Sequence, residues 1–255
     1  MKEQNRLFNF YEVGGKVRDE LLGLQSKDID YVAVPNINEF ITSDSYITST
    51  IEQLFLNLKE FLLKEGYQIF LETPSCYTIR AKFPKGHINE GIVADFVLAR
   101  KEIGYKEGTR EPIVVPGTLY DDLERRDFTV NAIAKDINGV LYDPFNGQQD
   151  LKDRVLRTPI KGEITFSDDP LRLLRAIRFA ITKDFIIDDS IHYFILNFNY
   201  DKSFSVVSEE RIREELYKCF KFNTLKTITY LMRYLQLKKY IFNNTNLWLK
   251  PTNEQ

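Results

Sequence analysis

The sequence predicts an α+β fold, with a mixed-sheet N-terminal part followed by an all-α C-terminal part. Two observations carry this prediction. Up to about residue 142, strand-type and helix-type apolar patterns are mixed, without the steady strand–helix alternation that builds a doubly wound sheet. Beyond Pro144 the apolar spacing is helical, over 169–183, 188–199, 208–221, 223–234 and 236–242. The change of texture falls between Asp143 and Pro159.

Each element has a local reason. Phe8 to Val13 is aromatic and β-branched and reads as a short strand. Gly14-Gly15 breaks it, and a short helix runs from Val17 to Leu22. Asp30 to Val34 reads as a strand. Ile51, Leu54, Phe55, Leu58, Phe61 and Leu62 recur at helical spacing up to Gly66. Tyr67 to Phe83 and Ile92 to Leu98 read as strands. Thr129 to Ile137 and Val140 to Tyr142 read as a hairpin turning at Asn138-Gly139.

Composition narrows the function classes. The 255 residues are 43% hydrophobic and 28% charged, as in an ordinary soluble protein. No apolar run has membrane-spanning length and no Lys/Arg-led signal peptide is present, so a cytoplasmic protein with no membrane partner is expected. Cys76 and Cys219 lie too far apart to indicate a disulfide framework, and with His87 and His192 they match no zinc spacing. The net charge of −2 argues mildly against a nucleic-acid partner. Its distribution softens this, because residues 210–255 carry nine Lys/Arg against four Glu, a net of +5. That segment offers either an RNA-backbone surface or a solvated basic helix face.

The chemistry concentrates in Gly14-Gly15-Lys16-Val17-Arg18-Asp19 and Asp28-Ile29-Asp30. Residues i and i+2 of a strand share a face, so Asp28 and Asp30 project together and repel unless a cation lies between them. Mg²⁺ takes one or two carboxylates plus substrate phosphates, an arrangement suited to nucleotidyl transfer with two metal ions. The glycines let backbone N–H groups and the following helix start approach phosphate oxygens. Asp95 is the lone acid in the apolar run Gly91 to Val97, and such a charge needs a metal or a partner. It joins Asp28 and Asp30 as the third catalytic carboxylate, the alternative being a pair with Arg80 or Arg100. Adjacent Arg125 and Arg126 call for anions, which a triphosphate supplies. Asp127 can accept hydrogen bonds from ribose hydroxyls, and Asn131 offers donor and acceptor. A salt-bridged Arg/Asp cluster at a strand start is the alternative there. In Asp168-Asp169-Pro170-Leu171-Arg172, Asp and Pro open a helix, on which Arg172 and Arg175 share a face.

At this point the chain resembles the class II tRNA nucleotidyltransferase and bacterial poly(A) polymerase family. Gly14 to Asp19 followed by Asp28-x-Asp30 is similar to the family's head-domain motif. Arg125 to Ala132 resembles its second motif, and Asp143 to Leu151 the connector between head and neck. Asp168 to Arg172 resembles the nucleotide-selecting motif, with Asp168 where Glu is usual, and Ser208 to Leu216 the last motif. The resemblance runs from about residue 10 to about residue 220. It implies a nucleotidyltransferase head over 1–142, a helical neck over 143–207 and a short RNA-binding helical body over 208–255. It implies two Mg²⁺ ions, with Asp28 and Asp30 as metal ligands and Asp28, Asp30 and Asp95 as catalytic residues. Nucleotide binding would fall to Gly14, Gly15, Arg18, Arg125, Arg126, Asp127, Asn131, Asp169, Arg172 and Arg175. The Asp169/Arg172 pair would read the Watson–Crick edges of C and A and reject U and G. The implied activity is template-independent addition of CMP and AMP from CTP and ATP to an RNA 3′ end, first of all tRNA CCA addition. The alternatives are CC-only, A-only or poly(A) addition, or a non-catalytic RNA-binding regulator.

Overall fold

A computed structural model describes residues 7–26, 28–36, 50–105, 112–200, 204 and 207–243. The chain divides into two compact units, Met1–Leu151 and Lys152–Gln255. No helix among the described residues is long and apolar enough to cross a membrane.

The first unit contains β1 (Phe8–Val13), α1 (Gly15–Leu21), β2 (Ile29–Pro35), α2 (Ile51–Lys64), β3 (Gln68–Thr73), β4 (Thr78–Lys82) and β5 (Val93–Leu98). The hairpin of β6 (Arg100–Tyr105) and β7 (Pro112–Pro116) follows, then α3 (Leu119–Glu124), β8 (Ala134–Lys135), β9 (Leu141–Tyr142) and most of α4 (Gly147–Asp153). The main sheet runs β3-β4-β5-β2-β1-β8-β9. Only the central β2/β5 pair of that sheet is parallel, and its other pairs are antiparallel. This is the mixed sheet expected of an α+β head.

Strand alternation separates a core face from a site face. Ile29, Tyr31 and Ala33 of β2, with Ala94, Phe96 and Leu98 of β5, pack against Ile51, Leu54, Phe55, Leu58 and Leu62 of α2. The intervening residues lie on the opposite face, where Val13, Val32, Ala99, Leu123, Ala132 and Ala134 form a smaller apolar cluster. Thr50 starts α2 by accepting from the Gln53 N–H at 3.3 Å.

Some expected elements are redrawn. The run Tyr67 to Phe83 is two antiparallel strands, not one, parted by a 3₁₀ turn at Pro74–Cys76. Pro74 has no N–H for a ladder, and Tyr77 adopts φ 51 to reverse the chain. The Asn138-Gly139 hairpin is present but short. Thr129–Asn131 forms a 3₁₀ turn, and pairing begins only at Ala134. Asp143 opens α4, its carboxylate accepting from the Gly147 and Gln148 N–H groups at 2.7 and 2.8 Å.

Among the described residues, the regular structure of the second unit is helical apart from a two-residue parallel pair, β10 (Val155–Leu156) with β11 (Ile186–Ile187). Its helices are α5 (Gly162–Asp168), α6 (Leu171–Thr182), α7 (Asp189–Asn197), α8 (Glu209–Phe222), α9 (Thr224–Arg233) and α10 (Leu235–Asn243). The central α6 buries Leu173, Leu174, Ile177, Phe179 and Ile181. Asn223 ends α8 and starts α9, accepting from the Lys226 N–H at 2.9 Å.

Gly147 ties α4 to the turn that carries Asn131. A Cβ there would stand 2.2 Å from the Thr129 carbonyl oxygen and 2.8 Å from an Ile133 side-chain carbon. The Gly147→Ala variant is therefore expected to lose about 1–3 kcal/mol of stability to overpacking. Urea unfolding monitored by far-UV circular dichroism checks this, and a midpoint equal to wild type would refute the contact.

Candidate active site

The site face is organised by register. Asp30 of β2 is the Cα partner of Val13 on β1 and of Asp95 on the parallel strand β5. Asp95 is in turn the partner of Arg80 on β4. Arg80, Asp95, Asp30 and Val13 thus form one row across adjacent strands about 4.8 Å apart. Asp28 stands exposed just before β2.

The charges in this row interact strongly. Arg80 grips Asp95 through both oxygens, Nε to Oδ1 at 2.7 Å and Nη2 to Oδ2 at 2.6 Å. Arg100, the other partner considered for Asp95, donates instead to the Cys76 carbonyl at 2.6 Å. Burial raises the Asp30 carboxyl above the ordinary carboxylate range. Arg126 opposes the rise, Asp95 and Asp28 add to it, and Arg80 opposes it again. Among the described residues no three His, Cys, Asp or Glu side chains converge to hold a metal ion. Asp28 and Asp30 nevertheless fit a hard cation that shares its shell with phosphate. Their donors are carboxylate oxygens, and a guanidinium already stands in among the acids.

Gly14 borders this row. It holds φ 69 between β1 and α1. A Cβ there would approach Arg126 Nη1 to 3.0 Å and Asp30 Oδ2 to 3.7 Å. A side chain would thus strain a backbone held at positive φ and also stand close to the acid and the guanidinium. Gly15, the first residue of α1, lies beside Arg18, whose Nη2 would be 3.5 Å from a Cβ on Gly15.

A buried polar network joins residues far apart in sequence. Arg18 Nε donates to Asp19 Oδ1 at 2.8 Å, and Arg18 Nη1 donates to Asn131 Oδ1 at 2.7 Å. Asn131 Nδ2 donates to Asp127 Oδ1 at 2.8 Å, as does the Phe128 N–H. Three of the expected nucleotide-binding residues, Arg18, Asp127 and Asn131, are therefore brought together and fix one another's rotamers.

Arg125 and Arg126 hang from an acid that sequence reasoning missed. Arg126 Nη2 donates to Asp122 Oδ2 at 2.9 Å, and Arg125 Nη2 pairs with Asp122 Oδ1. Arg126 Nη1 also donates to the Asn131 carbonyl at 3.4 Å. Asp122 is fully buried. Burial alone would raise its carboxyl, but the two guanidiniums outweigh that cost and hold it down at about 2. Two signals could have found it. Thr118-x-x-Asp121 is a capping box that starts α3, and Asp122 then lies one helical turn before both arginines.

In the second unit Asp169 is extended, at φ −141 and ψ 96. Its Oδ1 accepts from the Leu171 N–H at 3.3 Å, and its Oδ2 from Arg211 Nη2 at 2.7 Å. Pro170 precedes the first residue of α6, so the Asp-Pro pair does open a helix. Arg172 Nη1 donates to the Thr165 carbonyl at 3.2 Å. Arg175 Nη1 lies 3.7 Å from Oε1 of Glu215, which is buried and also pairs with Arg178 through Oε2. Arg211 and Glu215 both come from the Ser208 to Leu216 stretch, and neither had been singled out as a partner of Asp169 or Arg175. Of the basic residues in 210–255, Lys218 pairs with Glu215 at 3.6 Å and Lys226 with Asp184 at 2.8 Å. Lys250 lies outside the described residues.

The Asp122 ion pairs have a pH signature. The folded carboxyl lies below its ordinary value of 3.8, so its stabilisation is present in full above that value and is lost as pH falls towards about 2. Asp122→Asn is expected to lower stability at neutral pH and to flatten its decline between pH 4 and pH 2. Denaturation midpoints at a series of pH values test this, and parallel curves for the two proteins would count against it.

Residues 10–157 match the Poly A polymerase head domain. A CCA-adding enzyme of Staphylococcus epidermidis is 32% identical over 94% of this chain and 53% of its own length. The A-adding tRNA nucleotidyltransferase of Aquifex aeolicus is 36% identical over 67% of this chain and 18% of its own. Among solved structures, a tRNA nucleotidyltransferase complexed with a primer tRNA and an incoming ATP analog superposes with a TM-score of 0.67 at 28% identity. That likeness covers 95% of this chain and 61% of the other. The chain spans about half the length of several of the CCA-adding relatives it matches. The matched stretch holds Gly14, Asp28, Asp30, Asp95 and the Arg125 to Asn131 cluster in more than half of the sequence, and on that ground the chain belongs to the Poly A polymerase head domain family.

Proposed function

We propose that this chain is a template-independent RNA nucleotidyltransferase that adds CMP and AMP from CTP and ATP to an RNA 3′ end, with tRNA lacking CCA as acceptor. The observation that carries this is the juxtaposition, on one sheet face, of Asp30 with Gly14 and Arg126. It sets an acid, an open backbone turn and a guanidinium around one small space. The likeness to enzymes named for CCA addition, and to a tRNA nucleotidyltransferase solved with a primer tRNA and an ATP analog, supports the choice of reaction.

Each residue has a role in this reading. Arg125 and Arg126, oriented by Asp122, neutralise the triphosphate, and Gly14-Gly15 lets the backbone approach it. The Arg18–Asn131–Asp127 network presents acceptor and donor groups to the ribose hydroxyls from side chains that need not reorganise. Asp169 accepts from the exocyclic amine of C or A, and Arg172 donates to the adjoining ring acceptor. Arg175 sits on the same helix face, steadied by Glu215. Asp28 and Asp30 would hold Mg²⁺, as two ions, which supply charge neutralisation and activation of the RNA 3′-hydroxyl. Basic side chains of α8 to α10 would follow the RNA backbone. Catalysis is then mostly positioning, and no side-chain nucleophile is needed.

A second reading, addition of A alone, is favoured by the likeness to the A-adding enzyme. Purified protein with Mg²⁺, single NTPs or their mixture, and tRNA transcripts lacking CCA or only the final A separates the two. Three additions that stop, using CTP and ATP, are expected. A single A on the shorter-gap acceptor, with no C on the other, would select the second reading. Asp28→Ala and Asp30→Ala should lower turnover by about 10³-fold or more while changing nucleotide affinity far less. Equal losses in both would sink the catalytic assignment.

A further inference from the structure

We propose that Arg80 is a resident counter-cation of the carboxylate row. It withholds Asp95 from a divalent cation and leaves Asp28 and Asp30 to hold that ion. This rests on the reading of Asp28 and Asp30 as cation ligands given above. Asp30 and Asp95 are register partners on neighbouring parallel strands, so both carboxylates stand on one face a strand spacing apart. Two such acids need a cation between or beside them. Arg80 is the register partner of Asp95 on the far side and occupies both of its oxygens, at 2.7 and 2.6 Å. A bidentate guanidinium uses the carboxylate in the fork geometry that a metal would otherwise claim. Recruiting Asp95 would mean breaking both charge-assisted bonds.

The charge count points the same way. Asp28, Asp30 and Asp95 carry three negative charges, and Arg80 neutralises the one on Asp95, while Arg126 acts on Asp30 from the other side. The Arg80 side chain is 53% exposed, so it holds Asp95 through charge rather than through packing in the core. Arg125 and Arg126 differ, because they are committed to a fully buried acid. Arg80 therefore sets how many carboxylates face the cation, and with that the cation concentration at which the site fills.

The test uses the full chain freed of divalent ions. Mn²⁺ is titrated by isothermal calorimetry, and Mg²⁺ by the rise in thermal midpoint, for wild type, Arg80→Gln, Arg80→Gln with Asp95→Asn, Asp30→Asn and Lys82→Gln. Lys82 lies two residues along the same strand and serves as the control for a general loss of positive charge. Arg80→Gln is expected to bind Mn²⁺ about tenfold more tightly, the scale of one opposite charge at contact distance. Adding Asp95→Asn should return the midpoint to near wild type, and Lys82→Gln should move it less than about twofold. An unchanged or weaker midpoint for Arg80→Gln overturns the proposal, as does an equal gain from Lys82→Gln. Saturable binding that survives Asp30→Asn would overturn the cation reading itself, a different failure from the loss of the Arg80 effect alone.

Discussion

The parallel pairing of β2 with β5 is the constraint on which the site face depends. It sets Asp30 beside Asp95 and, through the same registers, aligns Ile29 with Ala94 and Tyr31 with Phe96. A slip of one residue in either strand would turn a carboxylate into the apolar core against α2 and expose an aromatic ring. Burial of Phe96 and Tyr31 therefore enforces the placement of the acids, although neither ring touches chemistry. Their stacked rings, with centroids 5.3 Å apart, make the enforcement local to the residues that alternate with the aspartates.

Acids brought together in this way must be compensated, and the compensation is graded by burial. Half-buried Asp95 is matched by exposed Arg80 in a pair that solvent can reach. Fully buried Asp122 is matched by two guanidiniums and stays ionised despite its desolvation. Asp30, between these extremes, has no dedicated partner of its own in the row, and its carboxyl is raised by burial. Asp30, the acid in the row whose carboxyl burial raises, is the one beside Gly14. That is the local imbalance a bound cation and phosphates would correct.

Much of this was legible in the sequence because it is written in short spacings. The Gly14-Gly15 break, the Asn138-Gly139 turn and the helical spacing from Ile51 to Leu62 all appear where local rules put them, while of the Asp28/Asp30 pair only Asp30 lies within β2. What could not be read depends on register or on three-dimensional burial. Asp95 was visible as a charge in an apolar strand, but its pairing with Arg80 requires knowing which residue of β4 lies opposite. The strand read through Pro74 concealed the hairpin that creates that register. Helix α3 spans six residues, too few for a periodic signal, so Asp122 stayed hidden although its capping box was in view. The hydrogen bond from Arg18 to Asn131 spans 113 positions, and no local rule reaches that far.

Each unit uses the same device to prepare arginines. In the first, Asp122 orders Arg125 and Arg126, and in the second, buried Glu215 orders Arg175 and Arg178. A guanidinium left to solvent samples many rotamers, and ordering it on ligand binding costs up to about 2 kcal/mol each. Pairing it beforehand with a buried acid moves that cost into folding, where hydrophobic burial offsets it. The arrangement has a directional consequence. A planar guanidinium has five donors, and a carboxylate engages at most two of them in a bidentate pair, so a held arginine keeps donors for a second anion. Replacing either acid with its amide would keep the side-chain shape but weaken its hold on the arginines, at a cost to the stability of the fold as well. The buried acids thus fix where the arginines stand, although neither acid is placed to touch a substrate.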